Sequence, residues 1–236
     1  MLMELLLSDI EVDNYICSDI NIDLINLWNE IKNNPNEVAN NYEIMWHELN
    51  DKDDDKQRKK EYFNKIRLRF NKNRDTSDFM FLMRTCVNGM PRYNKKGWFN
   101  TSFHITRNGI NPKTLRNVIN FWATKLNEKN VKFISGDYSY IEQVDNDFMY
   151  LDPPYFNTKG MYYGSIDMDL FIAWLSKQSK YILSFDGKLK NKDFTYDFPT
   201  SLYTEHVYLD SGNSSFRRLK TDDKYQNVKE SLYIMK

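Results

Sequence analysis

Residues 147–155, DFMYLDPPY, join a run of apolar residues to a carboxylate, two prolines and a tyrosine. The apolar run predicts a buried strand. Pro153 and Pro154 end that strand, because proline has a fixed φ and cannot donate a backbone hydrogen bond. Ligands of open α/β sheets bind at the carboxyl ends of the strands, which is where Asp152 lies. The stretch therefore predicts both a strand and a site at its end.

The side chains that follow this strand suit a planar ring that carries an amino group. The Asp152 carboxylate and the Pro153 carbonyl are hydrogen-bond acceptors in a rigid turn, and Tyr155 offers a flat face for stacking. Two acceptors can hold both amino hydrogens and leave the nitrogen lone pair free to attack an electrophile. A tight turn in which the prolines act only as chain breakers remains the alternative.

The order of predicted elements outward from this stretch favours an α/β fold. Apolar runs predict strands at residues 15–18, 131–138 and 181–187, and two more near the carboxyl end. Helical periodicity dominates between about residues 22 and 127, with the first helix ended at Asn33–Pro35. This order predicts a doubly wound α/β domain with a mostly helical insertion. The segment SFDG, residues 184–187, is either a turn after a strand or a part of the site.

One long segment carries charge of a single sign. The chain has no net formal charge, yet residues 79–127 contain no Asp or Glu. Their basic residues are Arg84, Arg92, Lys95, Lys96, Arg107, Lys113, Arg116 and Lys125. Asn and aromatic residues lie between them, a combination that neutralises phosphates and contacts bases. The segment predicts nucleic-acid binding, although a basic surface balanced by acidic residues elsewhere is the simpler alternative.

Cysteines and apolar runs restrict the compartment. Cys17 and Cys86 have neither metal-ligand spacing nor a disulfide pattern, which is typical of a reducing compartment. No apolar run reaches the roughly 18 residues that a membrane span requires. The expectation is a cytoplasmic protein that binds no metal ion and no membrane.

The motifs resemble those of the Dam-type (D12 class) DNA adenine-N6 methyltransferases. Asp152, Pro153, Pro154 and Tyr155 are similar to the catalytic motif of that family. The resemblance implies an S-adenosylmethionine-dependent enzyme that methylates an adenine flipped out of duplex DNA at specific sites, as in restriction-modification. It also implies a Rossmann-like fold.

The same resemblance assigns cofactor and DNA contacts. A cofactor-binding motif of the family resembles SDINIDL, residues 18–24, which implies that Asp19 and Ile20 bind the cofactor. A second one resembles SGDY, residues 135–138, and implies the same role for Asp137 and Tyr138. Asp152 is the fifth implied cofactor-binding residue. MRTCVNGMPRYNKKGWFN, residues 83–100, resembles the DNA-contacting segment. Its implied DNA-binding residues are Arg84, Asn88, Arg92, Tyr93, Asn94, Lys95, Lys96 and Asn100.

The implied domains are a catalytic domain, residues 1–33 and 113–236, and a target-recognition insertion of helices and a hairpin, residues 34–112. The family's glycine loop has no counterpart, since no glycine precedes Gly89. The expected fold is therefore incomplete at the N-terminus. Three explanations stay open: a separate chain that supplies the segment, a truncated enzyme with weak or no activity, and a DNA-binding protein that no longer methylates.

Overall fold

The structure is a computed structural model, which describes residues 2–52, 54–154, 166–189, 192–213 and 227–236. It contains two compact units, the first ending at Tyr138 and the second beginning at Ser139. Both units combine helices with strands, so the chain is an α/β protein, as the order of predicted elements indicated. Among the described residues, no helix is long and apolar enough to cross a membrane.

The first unit consists of helices around a pair of strands. Its elements are α1 (Leu2–Leu7), β1 (Tyr15–Asp19), α2 (Ile22–Asn33), α3 (Pro35–Asn50), α4 (Lys56–Asn73), α5 (Thr76–Thr85), α6 (Pro112–Glu128) and β2 (Val131–Ser135). The first predicted helix, α2, ends at Asn33 as expected, and Pro35 is the first residue of α3. Proline is tolerated at this position, because the first amide of a helix has no intrahelical acceptor.

The core of the first unit is aromatic and lies between the helices. Tyr42, Phe63, Phe70 and Phe81 are completely buried within it. Phe70 stacks on Phe79 with ring centroids 5.4 Å apart. The charge-dense helix α4 supplies Phe63 and Phe70, so its apolar stripe faces this core as the helical spacing requires.

The strands β1 and β2 pair in parallel, with Asp19 opposite Ser135. One face of the pair is covered by α2, whose Trp28 stacks on Phe133 at 5.7 Å. The other face carries Ile16, which is 60% exposed, and Ile134, which is 43% exposed. Parallel strands are normally covered on both faces, so the exposure of these two isoleucines is unusual.

The second unit is built on a mixed sheet. Its elements are β3 (Met149–Leu151), α7 (Met168–Leu175), β4 (Tyr181–Leu189), β5 (Lys192–Asp193), β6 (Glu205–Asn213) and β7 (Asn227–Met235). The strand order is β3-β4-β7-β6, and β5 pairs with β4. Only the β3–β4 pairing is parallel among the pairings that the structure describes in this sheet.

A bulge interrupts the pairing of β4 with β7. The register shifts between Phe185 and Lys188, and the strand continues to Leu189. The expectation that a strand ends in SFDG was therefore wrong for residues 184–187, which lie inside β4. The strand end was placed too early because glycine occurs both at strand ends and at bulges, and the sequence does not separate the two cases.

Candidate functional site

Asp152 lies directly after the last residue of β3, at the carboxyl end of a strand that runs parallel to β4. The residue as a whole is exposed, whereas Pro153 and Pro154 are half-buried. Protein atoms around the carboxyl group desolvate it, and this desolvation, followed by the Glu230 carboxylate, raises the pKa of Asp152. The carboxylate is thus placed at a strand end as predicted. Tyr155, the last residue of the predicted motif, lies outside the described residues.

Asp19 and Asp137 come together at one edge of the first unit. Asp19 ends β1, and Asp137 comes two residues after β2, the parallel neighbour of β1. The Gly136 amide donates to the Asp19 carbonyl oxygen over 3.1 Å, which joins the two strand ends. Ile20, the other predicted cofactor residue of this loop, is 53% exposed.

The Asp19 side chain closes the turn before α2. Its Oδ1 accepts a hydrogen bond from the Asn21 amide at 2.7 Å. Asn21 is the N-cap residue of α2, and its side chain accepts from the Leu24 amide. Tyr138 starts a 3₁₀ turn, Tyr138–Tyr140, on the other side of Asp137. Two acidic side chains on neighbouring loops suit a ligand that offers several hydroxyl or amino donors.

The predicted DNA segment contains a hairpin, residues 92–100, which we call the recognition hairpin. Tyr93 forms an antiparallel bridge with Phe99, and the Asn94 amide donates to the Trp98 carbonyl at 2.9 Å. The predicted DNA contacts Arg92, Asn94, Lys95, Lys96 and Asn100 are all exposed. Trp98, which is not among the predicted contacts, is 48% exposed. The hairpin therefore presents cations, amides and an indole to solvent.

Tyr93 differs from the other predicted contacts of the recognition hairpin. Its residue is half-buried, and its hydroxyl donates to Asp23 Oδ2 at 2.7 Å. Asp23 is buried in the first turn of α2. This contact joins residues 70 positions apart in the chain, so neither residue's part in it was visible in the sequence.

Arg84 and Asn88 border a cavity of about 540 Å³ in the first unit. Arg107 also lines this cavity, together with apolar side chains of α2 and α5 such as Trp28 and Met83. Asn88 has a positive φ of 59°, which turns the chain within the 3₁₀ segment Val87–Gly89. Both arginines are without an ion-pair partner among the residues that the structure describes. They leave positive charge available at the mouth of the cavity.

Within the described ranges, no group of three or more His, Cys, Asp or Glu side chains is placed to hold a metal ion. Cys17 and Cys86 are free thiols, and burial raises the pKa of each to about 11. Neither thiol is therefore poised as a thiolate nucleophile near neutral pH.

Comparison with known proteins identifies a family. A family model described as D12 class N6 adenine-specific DNA methyltransferase matches residues 4–226. Type II methyltransferase M.MjaIII of Methanocaldococcus jannaschii is 36% identical over 161 residues, which are 64% of this chain and 53% of that protein. The DNA adenine methylase of Vibrio cholerae serotype O1 is 30% identical over 151 residues, 61% of this chain and 50% of that protein. The chain spans about half the length of the curated relatives that it matches.

Proposed function

The chain belongs to the D12 class of N6 adenine-specific DNA methyltransferases, and from this premise we propose that it transfers a methyl group from S-adenosylmethionine to an adenine amino group in double-stranded DNA. The observation that carries the proposal is the position of Asp152, Pro153 and Pro154 directly after β3, at the carboxyl end of a parallel strand pair. Ligands of α/β sheets bind at such ends. The free thiols Cys17 and Cys86 support a cytoplasmic location.

The proposed reaction needs the target base outside the helix. An adenine inside a duplex does not expose its amino group for attack, so the base is flipped into the site. The Asp152 carboxylate and the Pro153 carbonyl then accept the two amino hydrogens, while Pro154 keeps the turn rigid. Tyr155 stacks on the ring in this proposal. With both hydrogens held, the nitrogen lone pair points away from the ring system and would attack the methyl carbon. The bond between that carbon and the sulfonium sulfur would break, and the amino proton would pass to the Asp152 carboxylate.

The cofactor residues in the proposal are Asp19, Ile20, Asp137, Tyr138 and Asp152. Their fit rests on the two carboxylates at the joined ends of β1 and β2. S-adenosylmethionine supplies a methyl group on a sulfonium sulfur. The chain's residues contribute positioning and electrostatic stabilisation, which are sufficient for such a transfer without a metal ion.

DNA recognition is assigned to residues 34–112, and the catalytic part to residues 1–33 and 113–236. The exposed cations of the recognition hairpin support contact with phosphates. Arg84 and Asn88, which line the cavity, are proposed to contact the DNA strand next to the flipped adenine. Arg92 and Asn94 are proposed to reach base edges, since Arg and Asn form paired hydrogen bonds to bases.

The proposed fold is Rossmann-like, with a glycine-loop segment that residues 1–236 do not contain. Two observations support a need for this segment. No glycine precedes Gly89, and β1 has no partner on its second edge within the part of the chain that the structure describes. The exposed Ile16 side chain of β1 offers apolar surface to a further element. The segment is proposed to come from polypeptide outside residues 1–236.

Methyl transfer from tritiated S-adenosylmethionine to unmethylated duplex DNA tests the function directly. The assay is run with the chain alone and with a polypeptide that carries the family's glycine-loop segment. If tritium is still incorporated into DNA in which another base replaces adenine, adenine is not the target. No incorporation under either condition would refute the enzyme, and retained DNA binding would then favour a binding protein that no longer methylates.

A further inference from the structure

A buried carboxylate joins the recognition hairpin to α2. Asp23 Oδ2 accepts from the Tyr93 hydroxyl at 2.7 Å and from Arg74 Nη1 at 3.1 Å. The Asp23 side chain is 3% exposed, and that of Arg74 is 35% exposed. We call the three residues Asp23, Arg74 and Tyr93 the Asp23 network. A buried carboxylate is costly without partners, so the two donors are held firmly in place.

Arg74 connects the same carboxylate to the tip of the recognition hairpin. Its Nη2 donates to the Gly97 carbonyl oxygen, and its guanidinium lies over the rings of Phe70 and Tyr93, 5.2 and 5.9 Å from their centroids. The hairpin is thus tied at Tyr93, in its first strand, and at Gly97, in its turn. Such planar stacking together with directed hydrogen bonds suits an arginine and not a lysine.

The backbone of Arg74 indicates that its side chain matters at this position. Arg74 ends α4 with a φ of 55° and a ψ of 37°, in the left-handed region. Helix ends in this conformation favour glycine, or asparagine, because a Cβ atom is strained there. Arg74 adopts this strained conformation while its guanidinium group makes three kinds of contact, an ion pair, a hydrogen bond and ring stacking.

At its other end, the Asp23 network meets the Asp19 turn. Asp23 is in the first turn of α2, two residues after the N-cap Asn21. The Asn21 amide donates to Asp19 Oδ1, and the Leu24 and Ile25 amides both donate to the Asn21 carbonyl at 3.1 Å. The hydrogen bonds of Asp23 and those of the Asp19 turn therefore meet in the first turn of α2, where the backbone of residues 21–25 joins them.

We propose that Asp23 is a positioning residue, which makes the recognition hairpin and the first turn of α2 one rigid element, so that DNA bound to the hairpin orders the turn that carries Asp19. The inference rests on the proposed function, because it takes the hairpin as the DNA contact. Neither Asp23 nor the Tyr93 hydroxyl touches DNA in this arrangement. Both act through the exposed cations that they hold in place.

The test combines hydrogen exchange with DNA affinity on the full chain. Tyr93→Phe removes one hydroxyl and keeps the ring beside Arg74, and Asp23→Asn removes the buried charge. Tyr62→Phe is the matched control, since Tyr62 is also half-buried and its hydroxyl has no hydrogen bond among the described residues. A short unmethylated DNA duplex is the probe, and amide exchange is followed at Leu24 and Ile25.

In the unmodified chain, the duplex should slow exchange at Leu24 and Ile25. In Tyr93→Phe and Asp23→Asn this slowing should disappear. DNA affinity should fall by about tenfold, because each variant weakens a hydrogen bond to a charged group that holds the hairpin in place. The slope of log Kd against log salt should stay unchanged, because no phosphate contact is removed. Tyr62→Phe should behave as the unmodified chain does.

Three results would overturn the inference. Slowing at Leu24 and Ile25 that persists in Tyr93→Phe would show that the network does not transmit the effect, even if the variant unfolds at a lower temperature. DNA binding by the unmodified chain without any slowing in α2 would also refute it and leave the proposed function standing. A chain that binds no DNA at all would refute both together.

Discussion

A Cβ atom placed on Gly187 would lie 2.1 Å from the carbonyl oxygen of Lys229 on the neighbouring strand. The two backbones approach this closely because the bulge between Phe185 and Lys188 brings β4 against β7. The obstacle is backbone on a paired strand, which cannot move aside as a flexible side chain can. Only glycine therefore fits at this point of the sheet.

Gly187→Ala should lower the free energy of unfolding by about 2–3 kcal/mol, the cost of forcing an extra methyl group into a packed region. Urea denaturation followed by circular dichroism measures the change. Gly97→Asn is the control, because a Cβ there meets only Arg74 Nη2, at 4.0 Å. Asparagine tolerates the positive φ of Gly97, so this variant should lose no more than about 1 kcal/mol. Equal losses in the two variants would contradict the close approach.

Asp152→Ala should reduce methyl transfer at least about 100-fold, since the target amino group loses a charged acceptor that positions it for attack. DNA affinity, measured by fluorescence anisotropy, should change little. Asp145→Ala is the matched control, because Asp145 is an exposed acidic residue of the same unit. Comparable transfer rates in the Asp152 and Asp145 variants would remove Asp152 from the reaction.

Glu230→Gln should move the acid limb of the pH–rate profile to lower pH. Desolvation and the Glu230 carboxylate raise the pKa of Asp152. In the proposed reaction Asp152 is ionised when it accepts the amino hydrogens, so activity is present above the raised pKa and is lost as the pH falls through it. Removing the Glu230 charge lowers that pKa and extends activity toward acid.

The measurement is kcat/KM for methyl transfer as a function of pH. Glu142→Gln, in an exposed loop of the same unit, is the control and should leave the acid limb in place. An acid limb that stays fixed in Glu230→Gln, or moves to higher pH, would show that Asp152 does not set it.

Lys95→Gln and Lys96→Gln should each weaken DNA binding in a salt-dependent way. Both lysines are exposed at the turn of the recognition hairpin. Loss of one phosphate contact should reduce the slope of log Kd against log salt by about 1. Lys60→Gln, an exposed lysine of α4, should leave the slope unchanged. A slope unaltered by both hairpin variants would place the DNA elsewhere on the protein.

The strands that carry the candidate site could be predicted from the sequence because their signals are local. Apolar runs predict the positions of β1, β2 and β3, and Asp19, Asp137 and Asp152 lie at the ends of these strands or within two residues of them. Asp19 and Asp137 meet because parallel strands place their carboxyl ends at one edge, a rule that needs no coordinates.

The Asp23 network and the Gly187 bulge could not be predicted in the same way. Tyr93 lies among basic residues, so its sequence neighbours favoured a DNA contact, whereas its hydroxyl bonds Asp23, 70 positions away. The bulge depends on the register of β7, which Gly187 and its neighbours do not encode. Contacts between distant segments are set by packing, and composition or periodicity carries little information about them.

Asn71 of α4 holds Phe99 as a neighbouring strand would. Its side-chain amide donates to the Phe99 carbonyl at 3.1 Å, and its Oδ1 accepts from the Phe99 amide at 2.7 Å. Phe99 is in the second strand of a short hairpin, and open strand edges invite pairing with other chains. The side chain of Asn71 therefore occupies the backbone groups through which this edge could pair with another strand, while Lys95 and Lys96 of the hairpin stay exposed.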